Sequence, residues 1–306
     1  MHTIELLINL GIALATNAHA ASLLIRELTN FFKEIKKKRK KMGRLFRYGD
    51  VIKVAQNPYV FAWVNQVIAN GGTVTDAEKA AVRTFVESID ISEFDRLWVF
   101  GLGNEIAAKT SIVNPSSTMI TGVNGITFIS GTGFLSNGVT QYLNTNYQPS
   151  TQGVKFTVDS QGFGGYLQSN VPGEYALLGG GSGASSYSGM LPRKLLDKNY
   201  CDSSNGSSII HDNSDSSGLI SAERRNSTLV NVYRNGVLLL NPSVPVYGSV
   251  TIANLDMYIL AYNISNSPFF INPNTVSGCY FSSGSFSQSG FNTAFQTLAT
   301  TLGFNV

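Results

Sequence analysis

The period of apolar and polar positions changes along the chain. Ile4, Leu7, Gly11, Leu14, Ala18, Ala21, Ile25, Leu28, Phe32 and Ile35 recur at alternating spacings of three and four. That is the a/d seam of a helix able to pair with copies of itself. It predicts a helix from about Thr3 to Met42, roughly 60 Å long at 1.5 Å per residue. After Asn57-Pro58, the positions Tyr59, Ala62, Trp63, Gln66 and Val67 predict a short amphipathic helix that ends at Asn70-Gly71-Gly72. Thr75 and Glu78 form a capping-box pattern that opens a second helix with Ala77, Ala81, Phe85 and Ile89 on one face. From Leu97 onward the pattern is short apolar stretches between turns: Leu97–Phe100, Gly125–Ile129, Val139–Leu143, Val154–Val158, Gly162–Leu167, Ala176–Leu178, Leu219–Ala222, Thr228–Arg234, Leu255–Tyr262 and Val276–Phe281. Such spacing, with hardly any helical period between, predicts an all-β sandwich rather than βαβ units. Arg234-Asn235-Gly236-Val237 reads as a two-residue hairpin. Phe291, Phe295, Leu298 and Leu302 predict a closing helix that covers a face or edge of the sheet.

Charge sharpens this division. Residues 1–47 hold 10 basic and 3 acidic side chains, the remainder 12 basic and 16 acidic, so the net +3 divides into +7 and −4. Lys36, Lys37, Lys38, Arg39, Lys40 and Lys41 form a basic run that calls for an anionic partner: nucleic acid, acidic lipid headgroups or an acidic protein surface. Nothing in it reads base sequence. Three readings of the preceding apolar stretch stay open. Ala18-His19-Ala20 has the form of a signal-peptide cleavage site, although no basic segment precedes the stretch. Leu6–Ile25 has almost the length of a membrane span, although Asn9, Thr16, Asn17, His19 and Ser22 interrupt it. A helical bundle or docking helix accommodates those polar residues and uses the seam directly. Cys201 and Cys279 lie too far apart in sequence for a CxxC pair and read as free thiols, and His2, His19 and His211 are too scattered for a His-based metal centre.

Several motifs in order carry a resemblance. They are Phe94-Asp95-Arg96-Leu97-Trp98-Val99-Phe100, Val113-Asn114-Pro115, Gly133-Phe134, Tyr142-Leu143-Asn144-Thr145-Asn146-Tyr147-Gln148-Pro149-Ser150, Gly162-Phe163-Gly164-Gly165-Tyr166, Val232-Tyr233-Arg234-Asn235-Gly236, and Tyr258-Ile259-Leu260-Ala261-Tyr262-Asn263 with Ser267-Pro268-Phe269-Phe270. Over residues 57–306 the chain resembles the concanavalin A-like (laminin-G-like) jelly-roll domain of phage virion structural, tail or spike proteins. The resemblance implies a two-sheet sandwich displayed on a virion and in contact with host-surface glycans. Glycan-cleaving members of that superfamily carry E-x-D-x-x-E on one strand. Here Glu93 and Asp95 begin the pattern but Trp98 stands at the last position, so no catalytic pair is expected. No G-x-S-x-G elbow is present. Gly179-Gly180-Gly181-Ser182-Gly183 lacks the Lys-Ser/Thr of a phosphate loop and reads as a flexible connection. Glycan binding asks for an aromatic to stack on a sugar and for amides or carboxylates to hold its hydroxyls. The candidates are Tyr187 in a 179–189 loop, and Tyr200, Asp202, His211, Asp212 and Asp215 in a 199–217 loop.

The expected architecture is therefore a mainly β, two-sheet concanavalin A-like jelly-roll sandwich with a long N-terminal helix, a helical hairpin and a C-terminal helix. Its expected divisions are an anchor at 1–47, a hairpin bridge at 48–92 and a display domain at 93–306. The expected role is a virion structural protein of spike or fibre type, outward-facing and not an enzyme, with no metal or cofactor. Its partners would be other virion proteins, a host-surface glycan, copies of itself (a trimer favoured), and a viral membrane or nucleic acid through the basic run. The rivals are an architectural capsid decoration or vertex protein, and a glycan hydrolase.

Overall fold

Asn57 opens the first helix as the sequence predicts: its side chain accepts the Val60 N–H, and Pro58 takes the first helical position, where no N–H is needed. The computed structural model describes residues 29–30, 57–183, 186–204, 208–239 and 251–306. The anchoring residues Lys36 to Lys41 and, apart from the helical pair 29–30, the predicted N-terminal helix lie outside the described residues. Helix α1 (Pro58–Ala69) buries Val60, Trp63 and Val67. Helix α2 (Asp76–Glu87) begins with the predicted capping box, in which Glu78 Oε2 accepts the Thr75 N–H at 2.7 Å and Thr75 Oγ1 accepts the Glu78 N–H at 3.2 Å. The hairpin belongs to the compact unit Ala55–Val306.

Two antiparallel sheets follow. The first runs β13 (Val237–Leu238), β12 (Leu229–Arg234), β11 (Gly218–Asn226), β6 (Gln161–Leu167), β17 (Thr275–Ser282), β4 (Gly133–Leu135) and β3 (Thr127–Ile129), with β1 (Phe94–Val99) also paired to β17. The second runs β10 (Ile209–Asp212), β9 (Lys198–Ser203), β8 (Ser188–Lys194), β7 (Leu178–Gly181), β14 (Tyr258–Ile259), β5 (Tyr142–Asn144) and β2 (Thr121–Val123). At its side β15 (Tyr262–Ile264) pairs parallel to β7 and antiparallel to β16 (Ser267–Phe269). Short helices α3 (Glu105–Lys109) and α4 (Pro149–Gln152) lie between strands, and α5 (Gln288–Leu302) closes the chain. The Asn235-Gly236 turn joins β12 to β13 with φ of 50° and 74°, the positive angles a two-residue hairpin needs.

Alternation along the strands makes the layers. On β17, Cys279 and Phe281 point into the sandwich with Trp98, Phe134, Phe163, Leu178, Met190 and Cys201, whereas Tyr280 points to the helices. The helix-side core joins Phe85, Phe94, Tyr166, Tyr280, Phe291 and Phe295, with Phe85 edge-on to Phe295 at 5.7 Å. The hairpin and α5 thus cover one face of the first sheet, as their apolar faces require. Both cysteines are buried free thiols in the sandwich core, and burial pushes each thiol pKa up.

Residues 154–158 do not form the expected strand, and Asp95 is the reason. Its Oδ2 accepts the Tyr147 hydroxyl at 3.0 Å and the N–H groups of Val154 at 3.0 Å and Phe156 at 2.9 Å, while Oδ1 takes the Lys155 N–H at 3.0 Å. Three successive amides curl onto one buried carboxylate instead of a neighbouring strand. Arg96 donates to the Asp95 carbonyl and lies 4.9 Å from the centre of the Tyr147 ring. Asp95→Ala leaves those donors unmatched, with the Tyr147 hydroxyl and the Phe156 amide in the buried interior, and should lower stability by about 3 kcal/mol or more in urea unfolding followed by tryptophan fluorescence. An unchanged midpoint with an unchanged slope would show that the carboxylate is dispensable.

Candidate functional site

The segments expected as loops at 179–189 and 199–217 build β7 to β10 instead. The glycines make this possible. Gly179 and Gly189 sit opposite each other on β7 and β8, and a Cβ on either would fall 2.5 or 2.6 Å from the Tyr262 ring. Two bare backbones therefore form a floor across which Tyr262, on β15, lies flat and buried. Its hydroxyl donates to Asp202 Oδ2 on β9 at 3.0 Å, and Ser208 Oγ donates to Asp202 Oδ1 at 2.7 Å. Burial pushes the Asp202 carboxyl up against the lowering effect of those two bonds. Burial, followed by the adjoining carboxylate, pushes the Tyr262 phenol well above its usual value.

Around this centre lie the half-exposed rings. Tyr187 meets Tyr262 edge-on at 5.8 Å and 90°. Tyr200 is paired across the strands with Leu191 and carries Lys194 Nζ 4.7 Å from its ring centre. Lys194 is held in turn by Glu174 at 3.1 Å. Farther along the same sheet Tyr258, opposite Gly179, packs on Tyr142 at 4.5 Å, and Asn144 donates to Asp256 at 3.1 Å. Tyr142, Tyr258, Tyr262, Tyr187 and Tyr200 so form a band across the outer face of the second sheet. Among the described residues, the two small apolar clusters on that face contain no helix residue.

Of the six predicted ligand residues, Tyr187, Tyr200 and Asp202 meet here and the other three do not. His211 points inward from β10, opposite Asn199, and is 2% exposed, so it offers nothing to an external ligand. Period two explains this, because residues at 209 and 211 share the buried side while 210 and 212 face outward. Asp212 pairs with Lys198. Asp215 pairs with Arg234 and accepts from the Ser217 N–H at 2.8 Å and its hydroxyl at 2.7 Å. Partial burial works against its ionisation, but the Ser217 bonds and the cation hold its pKa below the usual carboxylate value. Both aspartates serve as structural ion pairs.

Sequence reasoning missed a second polar cluster, on β11 and β12. Glu223 Oε1 accepts from Arg225 at 2.8 Å, Asn231 at 3.1 Å and Tyr233 at 2.5 Å, and the Glu223 side chain is wholly buried. Burial and the bond to Glu223 push the Tyr233 phenol up to about 12, so it stays protonated at neutral pH. Only the register, with Glu223 opposite Asn231 and Ser221 opposite Tyr233, brings these residues together. The Glu93 and Asp95 carboxylates are engaged too: Glu93 accepts from the Ser283 and Ser285 hydroxyls, and Trp98 is buried in the core.

No family model and no curated protein matches the chain. Among solved structures it is similar to a Trypanosoma rangeli sialidase in complex with sialic acid at 13% identity, with a TM-score of 0.49, covering 71% of this chain and 38% of that one. It is also similar to the receptor binding domain of botulinum neurotoxin C/D mosaic serotype at 11% identity, with a TM-score of 0.46, covering 67% of this chain and 51% of that one. The chain thus spans well under two thirds of either, and the likeness is one of β-sandwich architecture. The expectation that the chain is not an enzyme is corrected: the solved structures it is similar to include sialidases.

The buried imidazole makes stability depend on pH. Burial lowers the His211 pKa from 6.5, against the opposing pull of the Leu239 backbone and Asp212. The unfolded chain then binds the proton more tightly than the fold does. Stability is complete above about pH 6.5 and falls as pH drops below it. Thermal melts from pH 7.5 to 5 should show this loss, and His211→Leu should flatten it. An equal slope in the variant would remove His211 as its cause.

Proposed function

We propose that the sandwich is a displayed binding module that takes a host-surface glycan across the tyrosine band of the second sheet. We propose also that the basic N-terminal segment fixes it, as an oligomer, to the particle of a bacterial virus through virion proteins, lipid or nucleic acid. The observation that carries the glycan reading is the meeting of half-exposed Tyr187 and Tyr200 with the Asp202 carboxylate on the sheet face that carries no helix in its clusters. Phenol rings offer a sugar an apolar face, Ser208 and Lys194 offer hydrogen bonds to its hydroxyls, and the half-buried Asp202 holds Ser208 and Tyr262 in place. A sheet face suits a polymer or a surface array bound at many copies, where linkage multiplies a weak single-site affinity.

A purely architectural role, as a capsid decoration or vertex protein, is favoured by the ion pairs that engage Asp212 and Asp215. A glycan array and a host-cell binding assay on the full chain separate the two readings. Tyr187→Ala and Tyr200→Ala should each weaken binding about tenfold, equivalent to about 1.4 kcal/mol, while Asp215→Ala leaves it unchanged. Absence of binding by folded protein would support the architectural role, and binding by both tyrosine variants as tight as the parent's would remove the tyrosine band as the site.

A further inference from the structure

Helix α1 is apolar on both sides. Val60, Trp63 and Val67 face the core, while Pro58, Phe61, Ala62, Asn65, Ile68 and Ala69 are all exposed. Phe61 is 41% and Ile68 60% exposed. The sequence reading placed Ala62 on the buried face and saw one stripe where there are two. No charged residue occurs in Pro58–Ala69. A surface helix ordinarily opposes its apolar stripe with charge, and α2 does so with Asp76, Lys79, Arg83 and Glu87. The outer face of α1 does not.

We infer that this face is a contact between copies of this chain. Pro58, Phe61, Asn65 and Ile68 follow one another at spacings of three, four and three, the a/d spacing of a helix that packs on another helix. The 56 residues before Asn57 lead directly into α1, and their a/d seam, Ile4 to Ile35, is of the kind that pairs identical chains. A face that meets its own copy juxtaposes like with like, so an uncharged face carries no repulsion where a charged one would. Helix α1 has 12 residues, about 18 Å of length, too little for a standard interface of about 800 Å² per partner. A helix of this size therefore adds to a contact between copies rather than making one alone. The inference stands whether or not the tyrosine band binds a glycan.

The test is sedimentation of the full chain over a concentration series. Phe61→Glu combined with Ile68→Glu should dissociate at least tenfold more readily than the parent while keeping its circular dichroism and melting temperature. Val154→Glu and Leu196→Glu, at sites 75% and 89% exposed, should assemble like the parent. A second readout uses the fact that both native cysteines are buried: Asn65→Cys should give a covalent dimer under mild oxidation, and Val154→Cys should not. Unaltered assembly of the double variant would overturn the inference, as would a parent that is monomeric at every concentration. So would a monomeric parent that floats with phosphatidylcholine–phosphatidylglycerol vesicles and loses this property with Phe61 and Ile68, which would make the face a lipid contact.

Discussion

One buried carboxylate sets the geometry on which the sandwich depends. Asp95 lies at the start of β1, the strand that flanks β17, and binds three successive amides and a phenol. Those bonds fix Phe156 and Tyr147 against Phe281 at 5.9 and 5.1 Å, so an irregular segment carries core side chains as firmly as a strand would. A charged group is tolerated there because each oxygen is matched by fixed donors, and the cost of removing it from water is offset by hydrogen bonds that are already in place. In the sequence the same residue begins an incomplete E-x-D-x-x-E pattern, from which no catalytic pair is expected. Its bonds give it an architectural task.

The two faces of the molecule solve opposite packing problems. On the first sheet Tyr166, Leu219 and Tyr280 present apolar area that α2 and α5 cover. On the second sheet, glycines at 179 and 189 remove side chains altogether and a tyrosine from a neighbouring strand takes their place, leaving the half-exposed phenols of Tyr187 and Tyr200 around the buried Tyr262 and its Asp202 partner. That composition fits the low charge content of the chain, where hydroxyl and amide groups do the work of solvation. The Tyr262 hydroxyl there is held by Asp202 on a neighbouring strand, not by loop order.

Much of the fold is legible in the sequence because it rests on local rules. The Asn57 cap, the Thr75–Glu78 box, the Asn235-Gly236 turn and the helical spacing of Phe291, Phe295 and Leu298 each follow from neighbours a few residues apart. The strands β7 to β10 are less legible, since Gly179-Gly180-Gly181 and Tyr200-Cys201-Asp202 have turn-like composition and become strands only when Gly179 meets Gly189 and Tyr262 covers both. The candidate site was half legible for the same reason. Tyr187, Tyr200 and Asp202 have the right chemistry and share a face. His211 has the chemistry but sits on the inward side of β10, and the Glu223–Tyr233 bond depends on a register that no local pattern shows.

The central claim is that ligand lies on the outer face of the second sheet. Hydrogen–deuterium exchange of the full chain, with and without the oligosaccharide that binds it best on an array, locates that contact directly. The account predicts slowed exchange in β8, β9 and the β15–β16 hairpin, around Tyr187, Tyr200 and Tyr262, with the helix-covered side unchanged. Slowing confined to the helix side, or to the Glu223–Tyr233 cluster, would contradict it.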